Sequence, residues 1–154
     1  IEGLSGLGVM SALHIQGCSS LASLEGLHNL TQVTGLGWIW ITIDKNASLT
    51  NIDALSGLTE FNGALAIKSN PLLTDLDGLS NATGEMGQGN LHIQKNASLT
   101  SLSGLSGLTQ ANGVYIDNNA SLDQCIALNF GNGLTADFKC IKLNDMSNCP
   151  NEDC

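Results

Sequence analysis

L-H-I-Q-K-N-A-S-L-T-S-L-S-G-L, residues 91–105, changes period in its middle. Leu91, His92 and Ile93 alternate apolar and polar, the period-two pattern of a half-buried strand. After Asn96 the apolar residues fall every third position, at Leu99, Leu102 and Leu105. Period three would suit a helix, but the residues between are Ser, Thr and Gly, which are poor helix formers. The stretch therefore reads as a strand, an asparagine bend, and then leucines placed at further bends or short strands.

The same pattern recurs along the chain. One copy holds Ile43, Asn46, Leu49, Ile52, Leu55 and Leu58; the next holds Ile67, Asn70, Leu73, Leu76, Leu79 and Ala82. Others are Ile15, Cys18, Leu21, Leu24, Leu27 and Leu30, and Ile116, Asn119, Leu122, Cys125 and Leu128. A partial copy spans Ile141 to Asn144. The asparagine slot thus falls at 18, 46, 70, 96, 119 and 144. Steps in the twenties indicate stacked single coils, not helical hairpins. The expectation is an all-β solenoid of five to six coils over residues 1–134, each coil burying its leucines against its neighbours. Residues 135–154 are expected to form a Cys-rich cap or to open a following disulfide-rich module.

The motif G-x-L-x-I-x-x-N-x-x-L-x-x-L-x-G-L, as in Gly63 through Leu79, resembles the receptor L-domain family of insulin- and EGF-type receptor ectodomains and fungal cell-wall glycoproteins. The resemblance covers about residues 1–130. It implies a leucine-rich-repeat-like right-handed β-helix. It implies no particular ligand, because such domains bind through variable surfaces.

Composition narrows the function classes. The chain has 154 residues and a net charge of −9, with five lysines and no arginine. Nucleic-acid binding needs a basic stripe, and phosphate chemistry usually needs guanidinium forks; neither is expected. No apolar run approaches the ~20 residues of a membrane span. Within the repeats Asp75 and Asp77 are a close carboxylate pair, and they occupy ordinary outward positions. No spacing argues for a Ser–His–Asp or Cys–His arrangement, so no enzyme, cofactor or metal is expected. The chain opens at Ile1 in mid-coil, without an initiator Met or signal peptide. It is expected to be a mature product or a fragment, its first coil covered by upstream residues or by another subunit, or else left as a frayed, tolerated end.

Four of the five cysteines crowd the end: Cys125, Cys140, Cys149 and Cys154. Their spacing contains no C-x-x-C pair, which favours disulfides and an oxidising compartment over zinc. Cys125 to Cys140 is one of three possible pairings. Cys18, in the asparagine slot, is expected to be a free buried thiol.

Five N-x-S/T sequons are present. Asn46, Asn96 and Asn119 fill the repeat's own slot, which Asn70 and Cys18 also fill without a sequon. The slot is therefore explained by an inward amide bonding free backbone groups, and these three are the weaker sugar acceptors. Asn29 and Asn81 occupy a place where other repeats have Gly57 and Gly107. That alternation suggests positive φ at an exposed turn and makes them the better acceptors.

The approach to the strand is longest in Gly35–Ile43, which carries both tryptophans. With Ile39, Ile41 and Ile43 inward, Trp38, Trp40 and Thr42 point out, and Trp40 shares a row with Ala12 and Ala64. The adjoining outward row holds His14, Thr42, Ala66, His92 and Tyr115. Exposed tryptophans mark interfaces. The expected function is a non-catalytic structural or adhesive module of an extracellular glycoprotein (secreted, cell-surface or cell-wall), associating with protein partners or with itself. The alternative is a receptor-type ectodomain binding a protein or glycan through the Trp38/Trp40 face.

Overall fold

The computed structural model describes residues 2–34 and 39–142. These form strands β1 (Val9–Met10), β2 (Leu13–Gln16), β3 (Gln32–Val33), β4 (Ile39–Asp44), β5 (Glu60–Phe61), β6 (Ala64–Lys68), β7 (Gly84–Glu85), β8 (Asn90–Gln94), β9 (Leu108–Gln110), β10 (Gly113–Asp117) and β11 (Phe138–Lys142). One α-helix, α1 (Gln124–Gly133), joins them. The longer strands make a six-stranded parallel sheet in the order β11-β10-β8-β6-β4-β2. The short ones pair in parallel as β1-β3-β5 and β7-β9. The register places Ile15, Ile43, Ile67, Ile93, Ile116 and Ile141 in one row, as the repeat alignment placed them.

The expected all-β class, a right-handed β-helix or leucine-rich-repeat-like solenoid, is overturned. The described residues are mixed α/β, 16% helical and 30% strand, built on the six-stranded parallel sheet. Two things produce the helical share. Glu2–Leu4, Asp53–Leu55, Asp77–Leu79 and Ser103–Leu105 are 3-10 turns. Their i→i+3 bonds, such as Leu55 N–H to the Ile52 carbonyl at 2.9 Å, put every third side chain on one side. Period three therefore reported 3-10 geometry where bends were expected, and α-helix propensity says little about a single such turn. The second contribution is α1, which replaces the expected Leu122–Cys125–Leu128 bends. Asp123 caps it, its carboxylate accepting from the N–H groups of Cys125 at 2.8 Å and Ile126 at 3.2 Å.

The inward side chains make one continuous core. Ile43, Ile67, Ile93 and Ile116 from the sheet meet Leu49, Leu73, Leu99 and Leu122, all fully buried. α1 closes onto β11, where Ile141 fills the space that a side chain at Gly131 would take.

Inside this apolar core runs a ladder of amides. Asn46, Asn70, Asn96 and Asn119 are fully buried. Asn96 makes all four bonds its side chain allows. Its Oδ1 accepts from the Asn70 backbone N–H at 3.1 Å and from Asn70 Nδ2 at 3.4 Å. Its Nδ2 donates to the Ile67 carbonyl at 2.9 Å and to Asn119 Oδ1 at 3.3 Å. Asn70 does the same with Asn46, Ile43 and Asn96. Each amide thus ties its own repeat to the one before and the one after.

The residue before each ladder position is left-handed. Lys45, Ser69, Lys95 and Asn118 have φ between 55° and 58°, and Gly17, before Cys18, has φ 70°. Each of the first four carries the steric cost of a Cβ in that region, and the ladder on its C-terminal side holds it there.

Cys18 is free, as expected, but exposed. It lies just after β2, the outermost strand of the sheet among the described residues. Its backbone N–H still enters the ladder, donating to Asn46 Oδ1 at 3.0 Å.

Asn96→Ala should lower the free energy of unfolding in urea by about 3 kcal/mol or more, since it strands several buried groups at 1–3 kcal/mol each. Asn81→Ala, which removes one exposed bond, should cost less than about 1 kcal/mol. Equal losses from the two variants would show that the ladder has no special weight.

Candidate functional site

The outward face of the six-stranded sheet carries the row His14, Thr42, Ala66, His92, Tyr115 and Cys140, one residue from each strand in register. β6 contributes A-L-A-I-K. Leu65 and Ile67 fill the core, and Ala64 and Ala66 lie on the other face of the sheet, only 6% and 8% exposed. Its neighbours carry larger groups, Thr42 and Asp44 on β4 and His92 on β8. The result is a slot one strand wide, of about 320 Å³, floored by Ala64 and Ala66 and edged by Thr42, Asp44, Lys68, Gln88, Asn90 and His92.

His92 forms one wall. On its far side its ring stacks on Tyr115, with centroids 4.6 Å apart and planes 6° apart. Tyr115 in turn meets Phe138 at 5.5 Å, diagonally on the next strand. Tyr115 lies over Gly113, where a Cβ would come within 3.0 Å of its ring. With Tyr115 against one face of the imidazole, the other face overlooks the alanines.

Burial holds the His92 pKa below the ordinary histidine range, and the Lys68 ammonium lowers it further, against smaller opposing effects of Gln94 and Asp117. His92 Nδ1 is buried and has no hydrogen-bond partner in the structure. The opposite wall is better satisfied. Gln16 Nε2 donates to Asp44 Oδ2 at 2.9 Å, and Lys45 Nζ approaches the same oxygen at 3.9 Å. Asn90, which also lines the slot, accepts at Oδ1 from Asn112 Nδ2 at 3.1 Å.

Of the residues expected at an interface, Thr42 and His92 line the slot and Tyr115 buttresses it. His14 stands exposed on the outer strand β2, beyond Thr42, and takes no part. Trp38 and the side chain of Trp40 lie outside the described residues. The expected row Ala12–Trp40–Ala64 is corrected by the register. Ile39 pairs with Ala64 and Ile41 with Leu65, so Trp40 is the extra residue of a bulge. The long approach from Gly35 had to be absorbed somewhere, and the bulge absorbs part of it.

Sequence reasoning missed Ala64, Ala66, Asp44, Lys68, Gln88 and Asn90 as site residues. The signal was present: two outward alanines on a strand flanked on both sides by larger outward residues.

The sequons divide by geometry. The amides of Asn46, Asn96 and Asn119 are the buried ladder, whereas Asn29 and Asn81 are exposed and donate to the carbonyls of Ser5 at 2.6 Å and Ser56 at 2.8 Å. The expected positive φ is absent at Asn29, Asn81, Gly57 and Gly107. Glycine is used there because the preceding repeat comes close. A Cβ on Gly57 would lie 2.9 Å from the His28 carbonyl oxygen, and one on Gly107 2.5 Å from that of Ala82.

Asp75 and Asp77 serve the turns. Asp75 accepts from Asp77 N–H at 3.2 Å and Thr74 Oγ1 at 2.9 Å, and Asp77 accepts from Ser103 Oγ at 3.1 Å. Among the described residues no group of three His, Cys, Asp or Glu side chains is placed to hold a metal, and no helix is long and apolar enough to cross a membrane. Cys149 and Cys154 lie outside the described residues. No family model, curated protein or solved structure matches the chain.

The lowered His92 pKa fixes a sign. The unfolded chain binds the proton more readily, so His92 contributes stability above its ordinary pKa near 6.5 that is lost as pH falls through the folded value. His92→Phe keeps the stack on Tyr115 and removes the orphaned nitrogen. Its melting temperature should match or exceed that of the parent at pH 7 and fall less between pH 6.5 and 5. Parallel pH profiles for the two proteins would contradict this.

Proposed function

We propose that the chain is a non-catalytic adhesive or recognition module of an extracellular glycoprotein, secreted or borne on a cell surface or wall, and that it holds its partner against the outward face of the six-stranded sheet. The slot over Ala64 and Ala66 carries this reading. Elsewhere the exposed polar groups of the repeats largely bond one another, as in the Asp75–Asp77–Ser103 turns. Here donors and acceptors surround an open space beside a stacked aromatic pair. Spending Asp75 and Asp77 on turn geometry supports the non-catalytic part.

The extracellular part rests on cysteines and sequons. The clustering of Cys125, Cys140, Cys149 and Cys154 without a C-x-x-C pair supports disulfide bonding among them. Exposure supports Asn29 and Asn81 as the sugar acceptors ahead of Asn46, Asn96 and Asn119. Glycopeptide mass spectrometry of secreted protein should find sugar at Asn29 and Asn81; occupied ladder asparagines beside bare Asn29 and Asn81 would reverse the assignment.

The outer edge of β2 favours a second reading, self-association by strand pairing. Among the described residues no strand pairs with the outer edge of β2, and Val9 of β1 is 58% exposed. Light scattering that shows one mass at all concentrations would remove it.

The sheet-face reading is tested by binding of fluorescent chain to intact cells and extracellular matrices. Ala66→Arg fills the slot from the solvent side and should leave the melting temperature within a few degrees. It should weaken binding about tenfold or more, a loss of about 1.4 kcal/mol. Binding equal to the parent would reject the face as the contact.

A further inference from the structure

The slot's shape and lining restrict what can occupy it. Its walls rise from β4 and β8, two strand intervals or about 9.5 Å apart at the backbone. Between them, over β6, there is room for one flat ring standing edge-down on the methyls of Ala64 and Ala66. One wall is the free face of the His92 imidazole; the lining surface is mostly apolar, with polar side-chain groups set around it. Lys68 offers N–H donors, the amides of Gln88 and Asn90 add more, Thr42 offers a hydroxyl, and Asp44 offers carboxylate oxygen.

We infer that this slot is a carbohydrate subsite, taking one ring of a neutral glycan with its C–H face against His92 and its hydroxyls on Thr42, Asp44, Lys68, Gln88 and Asn90. The inference rests on the sheet-face reading above and names the partner's chemistry. Three observations select a sugar. First, the rim mixes donors and acceptors within one ring's reach, and hydroxyls are the ligand groups that can both give and accept at each point. An aromatic side chain of a protein partner would fit the slot's width but would leave those rim groups desolvated and unpaired, at a cost of about 1–3 kcal/mol each. Second, the charged lining is balanced, one carboxylate (Asp44) against one ammonium (Lys68), on a chain of net charge −9. That field disfavours uronic-acid and sulfated chains. Third, an aromatic ring presents an electron-rich face to weakly positive C–H groups, and Tyr115 fixes the His92 ring upright to do so. Beyond His92, Tyr115 and the 49% exposed Phe138 continue the aromatic row across β10 and β11, so a longer glycan lying across the strands would meet further rings.

The test is titration of the full chain with neutral gluco-, manno- and chito-oligosaccharides and, separately, with polygalacturonate and heparin fragments, followed by calorimetry and by NMR of the backbone amides. At least one neutral oligosaccharide should bind saturably with a Kd below about 1 mM, shifting the amides of Ala64, Ala66 and His92. Ala66→Tyr should weaken it at least tenfold, and Tyr115→Ala, which frees the His92 ring, should weaken it severalfold. Absence of saturable binding to every neutral glycan would overturn the inference. If Ala66→Arg still abolished cell binding and glycosidase treatment of the cells did not, the sheet face would stand with a protein as partner. Tighter binding of the anionic chains at the same amides would also overturn it.

Discussion

Everything in this chain hangs on a column of buried amides. A parallel sheet with strands only four to six residues long has few ladder bonds per strand, and its strands, in chain order, are joined through 18 to 22 residues of turns, short strands and, once, α1. What fixes the phase of one repeat on the next is the asparagine after each strand. Its two N–H groups reach backward to the preceding isoleucine carbonyl and forward to the following asparagine's Oδ1, and its own oxygen accepts from the backbone and side-chain N–H groups of the preceding asparagine. In a medium as apolar as this leucine core such bonds polarise one another, and an unmade one is expensive. The ladder is therefore both a source of stability and a register lock: a strand shifted by one residue would turn the amide away from the ladder and an isoleucine away from the core.

That constraint also explains which parts of the structure could be read in advance. The isoleucine row and the inward asparagine were legible because identical chemistry recurs at fixed steps, and a slot that survives without its sequon at Asn70 must serve structure. The fold class was not legible, because L-x-x-L spacing is shared by bends and by 3-10 turns, and only the i→i+3 bonds separate them. α1 was missed for a related reason. Leu122, Cys125 and Leu128 fitted the repeat template, and the template outweighed a good N-cap at Asp123 followed by Q-C-I-A-L. The asparagine–glycine alternation at 29, 57, 81 and 107 was read as a torsional requirement when it reflects the nearness of the neighbouring backbone.

The site shows the same asymmetry. Large residues announced themselves, so Trp38, Trp40, His14 and Tyr115 drew attention, whereas the alanines that create the space did not. A concavity on a sheet is made by what is missing from one strand relative to the next. It becomes visible only when register sets A-L-A-I-K between W-I-T-I-D and L-H-I-Q. The His92 ring then acquires a meaning that its isolated position in the sequence lacked: braced by Tyr115 on one side, it presents its other side to an empty row.

The buried ladder bears on the hexapeptide K-N-A-S-L-T, which occurs at residues 45–50 and again at 95–100. Its asparagine has no hydrogen to spare once the repeats have closed, and a glycan on Nδ2 has no place in the core. Folding and glycosylation at Asn46 and Asn96 are mutually exclusive outcomes for the same nitrogen. In a secretory compartment the two would run as a race. A repeat that closes before the transferase arrives keeps its amide bare, and one that lingers open is tagged and barred from the ladder. Sugar occupancy at these two asparagines would then report which repeat closed late.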